Sequence, residues 1–289
     1  MATAFDRAAE DLGNVVALEH VNVTVPDQQL ATLFYVSGLG LTRDPYLMTG
    51  LDNMWMNVGR SQFHLPTKSP QVLRGRAGIV LPDRAALIAR LEKVRPQLAH
   101  TRFAFAVHDD YVEAVCPWGN HIRCHAPDEK RFGRVRLALP YVEFDVPKGA
   151  AAGIAAFYRE VLKTTASVDA ACARVSVGKN QWLSFRETDA AQPAYDGHHL
   201  QIYIADFSGP HAWLKARGLV TEESDQYQYR FEKIVDPASG EPLFTIEHEV
   251  RSMTHPLYAR PLVNRNPAQT NRNYAPGYDA GQWASEHTA

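Results

Sequence analysis

Two histidines open two copies of one short apolar run, His20-Val-Asn-Val-Thr-Val-Pro and His199-Leu-Gln-Ile-Tyr-Ile-Ala. Between them stand Arg76-Ala-Gly-Ile-Val-Leu-Pro and Tyr141-Val-Glu-Phe-Asp-Val-Pro, so every copy opens on a side chain able to bind something. An imidazole takes a metal ion, or a proton near neutral pH. A guanidinium forks onto a carboxylate or phosphate. The four openings recur at intervals of about 60 residues, the behaviour of a repeated supersecondary unit. Taken alone, a histidine heading a strand is more often a surface or hydrogen-bonded residue than a ligand. Repetition of the motif is what argues for a ligand.

The elements that must position these side chains can be read from periodicity. Leu18 to Val25 reads as a strand, and Asp27 as the N-cap of a helix to about Ser37 with Leu30, Leu33 and Phe34 at helical spacing. Gly38-Leu-Gly40 ends it, and three strand-like runs follow, near Leu41 to Met48, Asn53 to Val58 and Gln62 to Leu65. The second unit repeats the plan: a strand at Ile79 to Leu81, a helix through Ala86, Leu87, Leu91 and Val94, then strands at Arg102 to Val107, Tyr111 to Val115 and His121 to His125. The third has Tyr141 to Val146, a helix from Ala150 to Lys163, and strands near Ala173 to Val177 and Gln181 to Phe185. The fourth has the His199 strand, a helix near Ser208 to Arg217, and strands near Gln228 to Val235 and Leu243 to Val250. A polar stretch from Pro127 to Arg136 separates the halves, giving 1–127 for units one and two and 137–250 for units three and four. Residues 251–289 show no periodicity and read as an irregular C-terminal tail.

Composition narrows the function. The chain has 289 residues, 45% apolar and 21% charged, the balance of a globular protein with a sizeable core. A net charge of −2 offers no basic face for nucleic acid or an anionic membrane. No run approaches the length needed to span a bilayer, and Met1 to Gly13 lacks the apolar stretch of a secretory signal. Cys116, Cys124 and Cys172 make no disulfide framework and are expected as free thiols of a cytoplasmic protein. The expected partner is a small-molecule substrate, with the aromatic and arginine residues of the tail serving packing or homodimer contacts.

A repeated strand-helix-strand-strand-strand unit with a metal-capable residue opening its first strand resembles the vicinal oxygen chelate superfamily, the group of glyoxalase I, extradiol dioxygenases and bleomycin-resistance proteins. The resemblance covers roughly residues 16 to 250 and is carried by His20-Val-Asn-Val-Thr-Val-Pro, Pro117-Trp-Gly-Asn-His-Ile-Arg, Asp236-Pro-Ala-Ser-Gly and Ile246-Glu-His-Glu in that order. It implies an α+β fold of four βαβββ modules, paired into two open, cup-shaped mixed sheets. Ligands then come from the first and last strands of paired modules. Carried onto this chain, the first-strand positions are His20, Arg76, Tyr141 and His199, and the last-strand positions are His64, Arg123, Leu183 and Glu247, with Glu249 as the fallback on the same strand face. Modules one and four supply His20, His64, His199 and Glu247; modules two and three supply nothing that ordinarily binds a metal. Module one is therefore expected to pair with four, and two with three.

The resemblance implies one divalent ion, Fe(II) first, with Zn, Ni, Mn or Co as alternatives. It would polarise a substrate with two neighbouring oxygens. With His64 outside the coordination shell, His20, His199 and Glu247 form a two-histidine-one-carboxylate face, and His64 serves as general base. Tyr227 and Tyr229, ahead of the last strand, are expected to orient substrate or to pack in the cup wall. The lean is to an extradiol-type dioxygenase. A glyoxalase-type isomerase or lyase is the alternative, better matched by four ligands and crossed pairing. The third reading is a metal-free binding protein of the resistance type. Arg76 and Arg123 are expected to pair with Glu113 or Glu143 and fill a degenerate second cup, with the binding of an anion as the alternative.

Overall fold

Successive side chains of a pleated strand point to opposite faces, so alternating β-branched runs bury one face against a core. The computed structural model describes residues 5–44, Leu47 and residues 52–260. Module one contains β1 (Val15–Asn22), α1 (Gln28–Ala31) continued by a π-helical turn over Thr32–Gly38, then β2 (Thr42–Arg43), β3 (Asn53–Val58) and β4 (Ser61–Pro66). Asp27 caps α1, accepting from the backbone N–H of Gln29 and Leu30 at 2.7 and 3.0 Å. Module two contains β5 (Gly75–Val80), α2 (Arg84–Leu98), β6 (Ala104–Val107), β7 (Tyr111–Val115) and β8 (His121–His125), followed by a one-turn helix α3 (Glu129–Phe132). Module three contains β9 (Ala138–Pro147), α4 (Ala151–Glu160), β10 (Ala166–Asp169), β11 (Cys172–Gly178) and β12 (Gln181–Thr188). Module four contains β13 (His199–Ile204), α5 (Ser208–Lys215), β14 (Val220–Asp225), β15 (Gln228–Val235) and β16 (Pro242–Ser252).

The strands form two mixed eight-stranded sheets, ordered β14-β15-β16-β13-β1-β4-β3-β2 and β10-β11-β12-β9-β5-β8-β7-β6. Modules one and four thus share one sheet and modules two and three the other, the crossed pairing expected from where the imidazoles stand. The polar stretch at 127–136 separates the modules along the chain without separating the sheets. In each sheet the two first strands meet antiparallel at the centre, β1 with β13 and β5 with β9. One face of each sheet packs into the apolar core with the helices: Val21, Phe63, Leu200 and Ile202 are all buried there. The opposite face of the first sheet carries His20, His64 and His199.

Two strands escape the periodicity reading, β10 and β14. They are the outer strands of the two sheets, and their side chains are almost all exposed, so no apolar alternation is written into them. The helix of module three ends at Glu160, short of Lys163, and β2 is only two residues long. Met48, the end of the run expected from Leu41, and residues 261–289 of the tail lie outside the described residues. The three cysteines are unpaired, and no helix among the described residues is long and apolar enough to cross a membrane.

The two central strands of the second sheet, β5 and β9, leave no room for a side chain at Gly75. Its φ is +151°, and a Cβ built there would lie 1.9 Å from the carbonyl oxygen of Glu143. Gly75→Ala is therefore expected to destabilise the fold by about 3 kcal/mol. Calorimetry should show the thermal midpoint falling by roughly 6–12 °C. An unchanged midpoint would mean that β5 and β9 part without cost.

Candidate metal centre

Three neighbouring strands deliver three imidazoles to one point. His20 from β1, His64 from β4 and His199 from β13 each bring a ring nitrogen within 4.8 Å of the others. His20 is completely buried, and its ring lies 5.6 Å from that of His64 and 5.7 Å from that of His199. Strand register explains the convergence. His20 stands opposite Gln62 on β4 and Gln201 on β13, while Asn22 stands opposite His64 and His199. On β16, Glu247 is level with His199 and Glu249 with Gln201.

The cup floor therefore holds two cross-strand rows, Gln62-His20-Gln201-Glu249 and His64-Asn22-His199-Glu247. Exchanging β1 for β13 and β4 for β16 maps this pattern onto itself. His20 becomes His199, Asn22 becomes Gln201, His64 becomes Glu249 and Gln62 becomes Glu247. The carboxylate equivalent to His64 is thus Glu249.

Burial agrees with the symmetry. The side chain of Glu249 is 3% exposed, with Oε2 3.5 Å from His199 Nε2; that of Glu247 is 19% exposed and lies 3.3 Å from His199 Nδ1. Two arginines hold these carboxylates. Arg230 contacts both Glu247 and Glu249, and Arg251 reaches Glu249 at 2.6 Å and Glu19 at 3.1 Å. Glu19 occupies a β-bulge just before His20, which turns it toward the same face. There its carboxylate lies 3.2 Å from His20 Nδ1 and accepts a hydrogen bond from the Tyr203 hydroxyl.

Burial and these contacts shift the titration of the site's groups. Burial holds the His20 imidazole well below its usual pKa. Burial, reinforced by His20 and His199, lowers His64 to about 2. Burial alone raises the carboxyl of Glu249, but the hydrogen bond with His199 and the charges of Arg251 and Arg230 more than reverse it and hold it well below the usual carboxylate range. Neutral imidazoles beside an ionised carboxylate are the forms that a divalent cation needs.

The donor set fits a cation on a second count. His20 Nδ1 is engaged by Glu19, while its Nε2 is buried with no hydrogen-bond partner among the described residues. His64 contacts Asn53 Oδ1 through Nε2 at 2.7 Å and is stacked on Trp55 at 3.6 Å, which fixes its ring plane. A ligating histidine is held in this way, one nitrogen oriented by an oxygen acceptor and the other turned to the ion.

The remaining expected residues lie elsewhere. Tyr229 alternates with Gln228 and Arg230, so its side chain turns to the opposite face and packs on Phe207 and His211. Tyr227 sits in the turn between β14 and β15, its ring 6.4 Å from His255. Leu183 is in the core; its neighbour Trp182 lies level with Tyr141 and stacks on it. In the second cup Arg76 pairs with Glu143 at 3.1 Å and Asp145 at 3.5 Å, and Arg123 lies over the Tyr111 ring. Phe132 of α3 is buried parallel to Trp182 and His125 contacts the Tyr141 hydroxyl at 2.9 Å, so this cup is filled by the protein's own side chains. Beyond Ser252 the chain turns back to the first cup: Tyr258 packs on Tyr203, and Arg260 reaches Asp44 at 2.7 Å and Gln62 at 3.3 Å.

Sequence reasoning passed over Glu19, Arg230 and Arg251. A signal was available. Glu247, Glu249 and Arg251, like Gln228 and Arg230, are charged or polar residues at every second position of strands otherwise apolar, the pattern of a polar cavity wall.

No protein-family model and no curated protein matches the sequence. Solved structures do. A proposed dioxygenase from Bacillus subtilis is 17% identical, with a TM-score of 0.53 over 84% of this chain and 86% of that one. Glyoxalase I from Zea mays is 12% identical, with a TM-score of 0.52 over 81% and 92%. The cppA protein of Streptococcus pneumoniae is 11% identical, with a TM-score of 0.50 over 83% and 99%.

Proposed function

The chain has the four-module vicinal oxygen chelate fold, and on that scaffold we propose a divalent-metal enzyme acting on a small substrate with two adjacent oxygens. The observation that carries this is the convergence of His20, His64 and His199 within 4.8 Å, beside a buried, ionised Glu249. In this reading His20, His64, His199 and Glu249 hold the ion, Fe(II) or another of Zn, Ni, Mn and Co. Glu247 stays at the rim. The bound ion supplies Lewis acidity, stabilising negative charge that develops on a substrate oxygen.

With four protein residues to hold it, an ion would keep room for a chelating substrate and little else. That favours redox-neutral proton transfer, an isomerase or lyase, over chemistry that must also admit O2. Lowered to about 2, His64 is a poor base at neutral pH, and its expected role as general base gives way to that of a neutral ligand. Glu247 is the carboxylate left at the mouth to take a proton from a bound substrate, with Arg230 and His199 fixing its position. Gln62, held by Asp44 and Asn57, and Trp55, stacked on His64, close the far side of the cup.

The dioxygenase reading stands second, on the two-histidine-one-carboxylate face that remains when His64 leaves the ion. One experiment separates the two. Protein purified without added metal is analysed for bound ion, then incubated under nitrogen with an α-hydroxyketone in deuterated water. Deuterium incorporation that needs the metal supports proton transfer. Oxygen uptake with a catechol, and no exchange, supports the second reading. Protein that retains no divalent ion and regains none on incubation overturns both.

A further inference from the structure

Three buried primary amides stand in the two cross-strand rows with the imidazoles, and they are not alike. Gln62 is fully engaged: Nε2 donates to Asp44 at 2.5 Å and Asn57 at 2.7 Å, and Oε1 accepts from Arg260 at 3.3 Å. Gln201 is completely buried, yet neither Oε1 nor Nε2 has a hydrogen-bond partner among the described residues. Asn22 is 4% exposed, and its Oδ1 is likewise without a partner. Buried polar groups are nearly always satisfied, and one left unpaired costs stability. Such costs collect where a ligand will meet them.

The two unsatisfied amides are equivalent under the exchange of β1 with β13. Asn22 stands between His64 and His199, and Gln201 between His20 and Glu249. They flank the convergence point on opposite diagonals, each beside two of the four donors. We infer that Asn22 and Gln201 bind the substrate, and that what they bind is one of the two chelating oxygens where that oxygen is a hydroxyl. A primary amide offers an acceptor and a donor whichever way it is turned about its terminal bond. A hydroxyl answers both, whereas a carbonyl or carboxylate oxygen only accepts. The site therefore selects chelators that keep an O–H, namely vicinal diols, catechols and α-hydroxycarbonyls, over α-dicarbonyls, α-keto acids and dicarboxylates. This rests on the metal reading above, because chelation is what brings the hydroxyl to the amides.

The test compares wild type with Gln201→Met, close in shape but unable to form either bond, and Asn22→Leu. Bound metal is measured by elemental analysis, and the loaded proteins are titrated with catechol and with oxalate, a chelator with no O–H when ionised. Both variants should keep one ion per chain. Catechol should bind about 10-fold more weakly to each, the effect of one hydrogen bond to a group then left unmatched. Oxalate should change by less than twofold. In metal-free protein the thermal midpoint of Gln201→Met should equal or exceed that of wild type, since an unsatisfied amide has been removed. With metal retained, equal losses for both chelators, or no loss for catechol, would overturn the amide assignment and leave the metal reading standing. A lower midpoint with unchanged catechol binding would make the amides structural and overturn it too. A wild type that holds no metal would overturn both.

Discussion

Glu249→Gln is expected to release the metal ion, and Glu247→Gln to keep it. The two residues are one strand period apart on β16 and face the same cup, so chemistry alone does not choose between them. Geometry does. Glu249 takes the place of His64 in the two-fold pattern of the floor, is nearly inaccessible, and is the carboxylate whose charge is felt by both His20 and His64. Loss of an outer-shell partner typically weakens metal binding by 10–100-fold, so loss of a direct carboxylate should cost on the order of 10²-fold or more. His199→Ala should match Glu249→Gln, and Arg76→Ala, in the other cup, should leave metal content at the wild-type level. One competing effect needs a control. Neutralising Glu249 also strips a counter-charge from Arg230 and Arg251, and breaking a buried ion network costs about 3–5 kcal/mol. Metal content is therefore read beside a thermal melt, and only metal loss in a folded variant counts. Retention by Glu249→Gln with loss from Glu247→Gln would invert the assignment and move the ion to the rim.

That choice marks how far the sequence reaches. The repeated motif places His20 and His199 on equivalent first strands, and with the family pattern it yields the modules, the crossed pairing and His64. Each of those depends on local period and on the order of motifs. The step from Glu247 to Glu249 depends on how β16 slides along β13 and β15, and the β15–β16 ladder is irregular between Phe231 and Lys233 and again between Ile234 and Val235. No local pattern fixes a slip of two, because both residues keep the same face. Tyr229 was a different matter: its parity against Gln228 and Arg230 was written in the sequence, and it already pointed away from the cup. The base role expected of His64 gives way, in the reading proposed above, for a third reason. A pKa near neutrality belongs to a solvated imidazole, and nothing local reveals that this one is shut in beside two others. The edge strands β10 and β14 were hidden because solvent accepts any polar side chain they carry.

Metal-free protein is expected to lose stability steeply as pH falls below about 6. His20, His64 and His248 are each held neutral by burial, His64 at about 2 and His248 at about 4, where Tyr158 contacts its Nε2 and the carbonyl of Ile246 accepts from its Nδ1. In the unfolded chain an imidazole titrates near 6.5. Below that pH the unfolded state takes up protons that the native state refuses, so stability falls as pH falls, until each folded pKa is reached. Every such group contributes about 1.4 kcal/mol per pH unit, hence about 4 kcal/mol per unit for the three between pH 6 and 4. Glu249, held ionised in the native state, adds a loss of the same sign below the usual carboxylate range. Glu19 works in the other direction, since burial raises its carboxyl and the native state gains a proton first. One group against four does not reverse the slope. About 8 kcal/mol is lost by pH 4, a large share of the about 5–15 kcal/mol that holds a domain folded, so the metal-free protein is expected to be strongly destabilised there. Denaturant titrations at fixed ionic strength between pH 7.5 and 4.5 would measure it. Excess divalent ion should move the loss to lower pH, because it binds only the folded, deprotonated site. A free energy of unfolding that stays flat down to pH 4.5 would mean that these imidazoles take up protons in the folded chain as readily as in the unfolded one, and that burial does not hold them neutral.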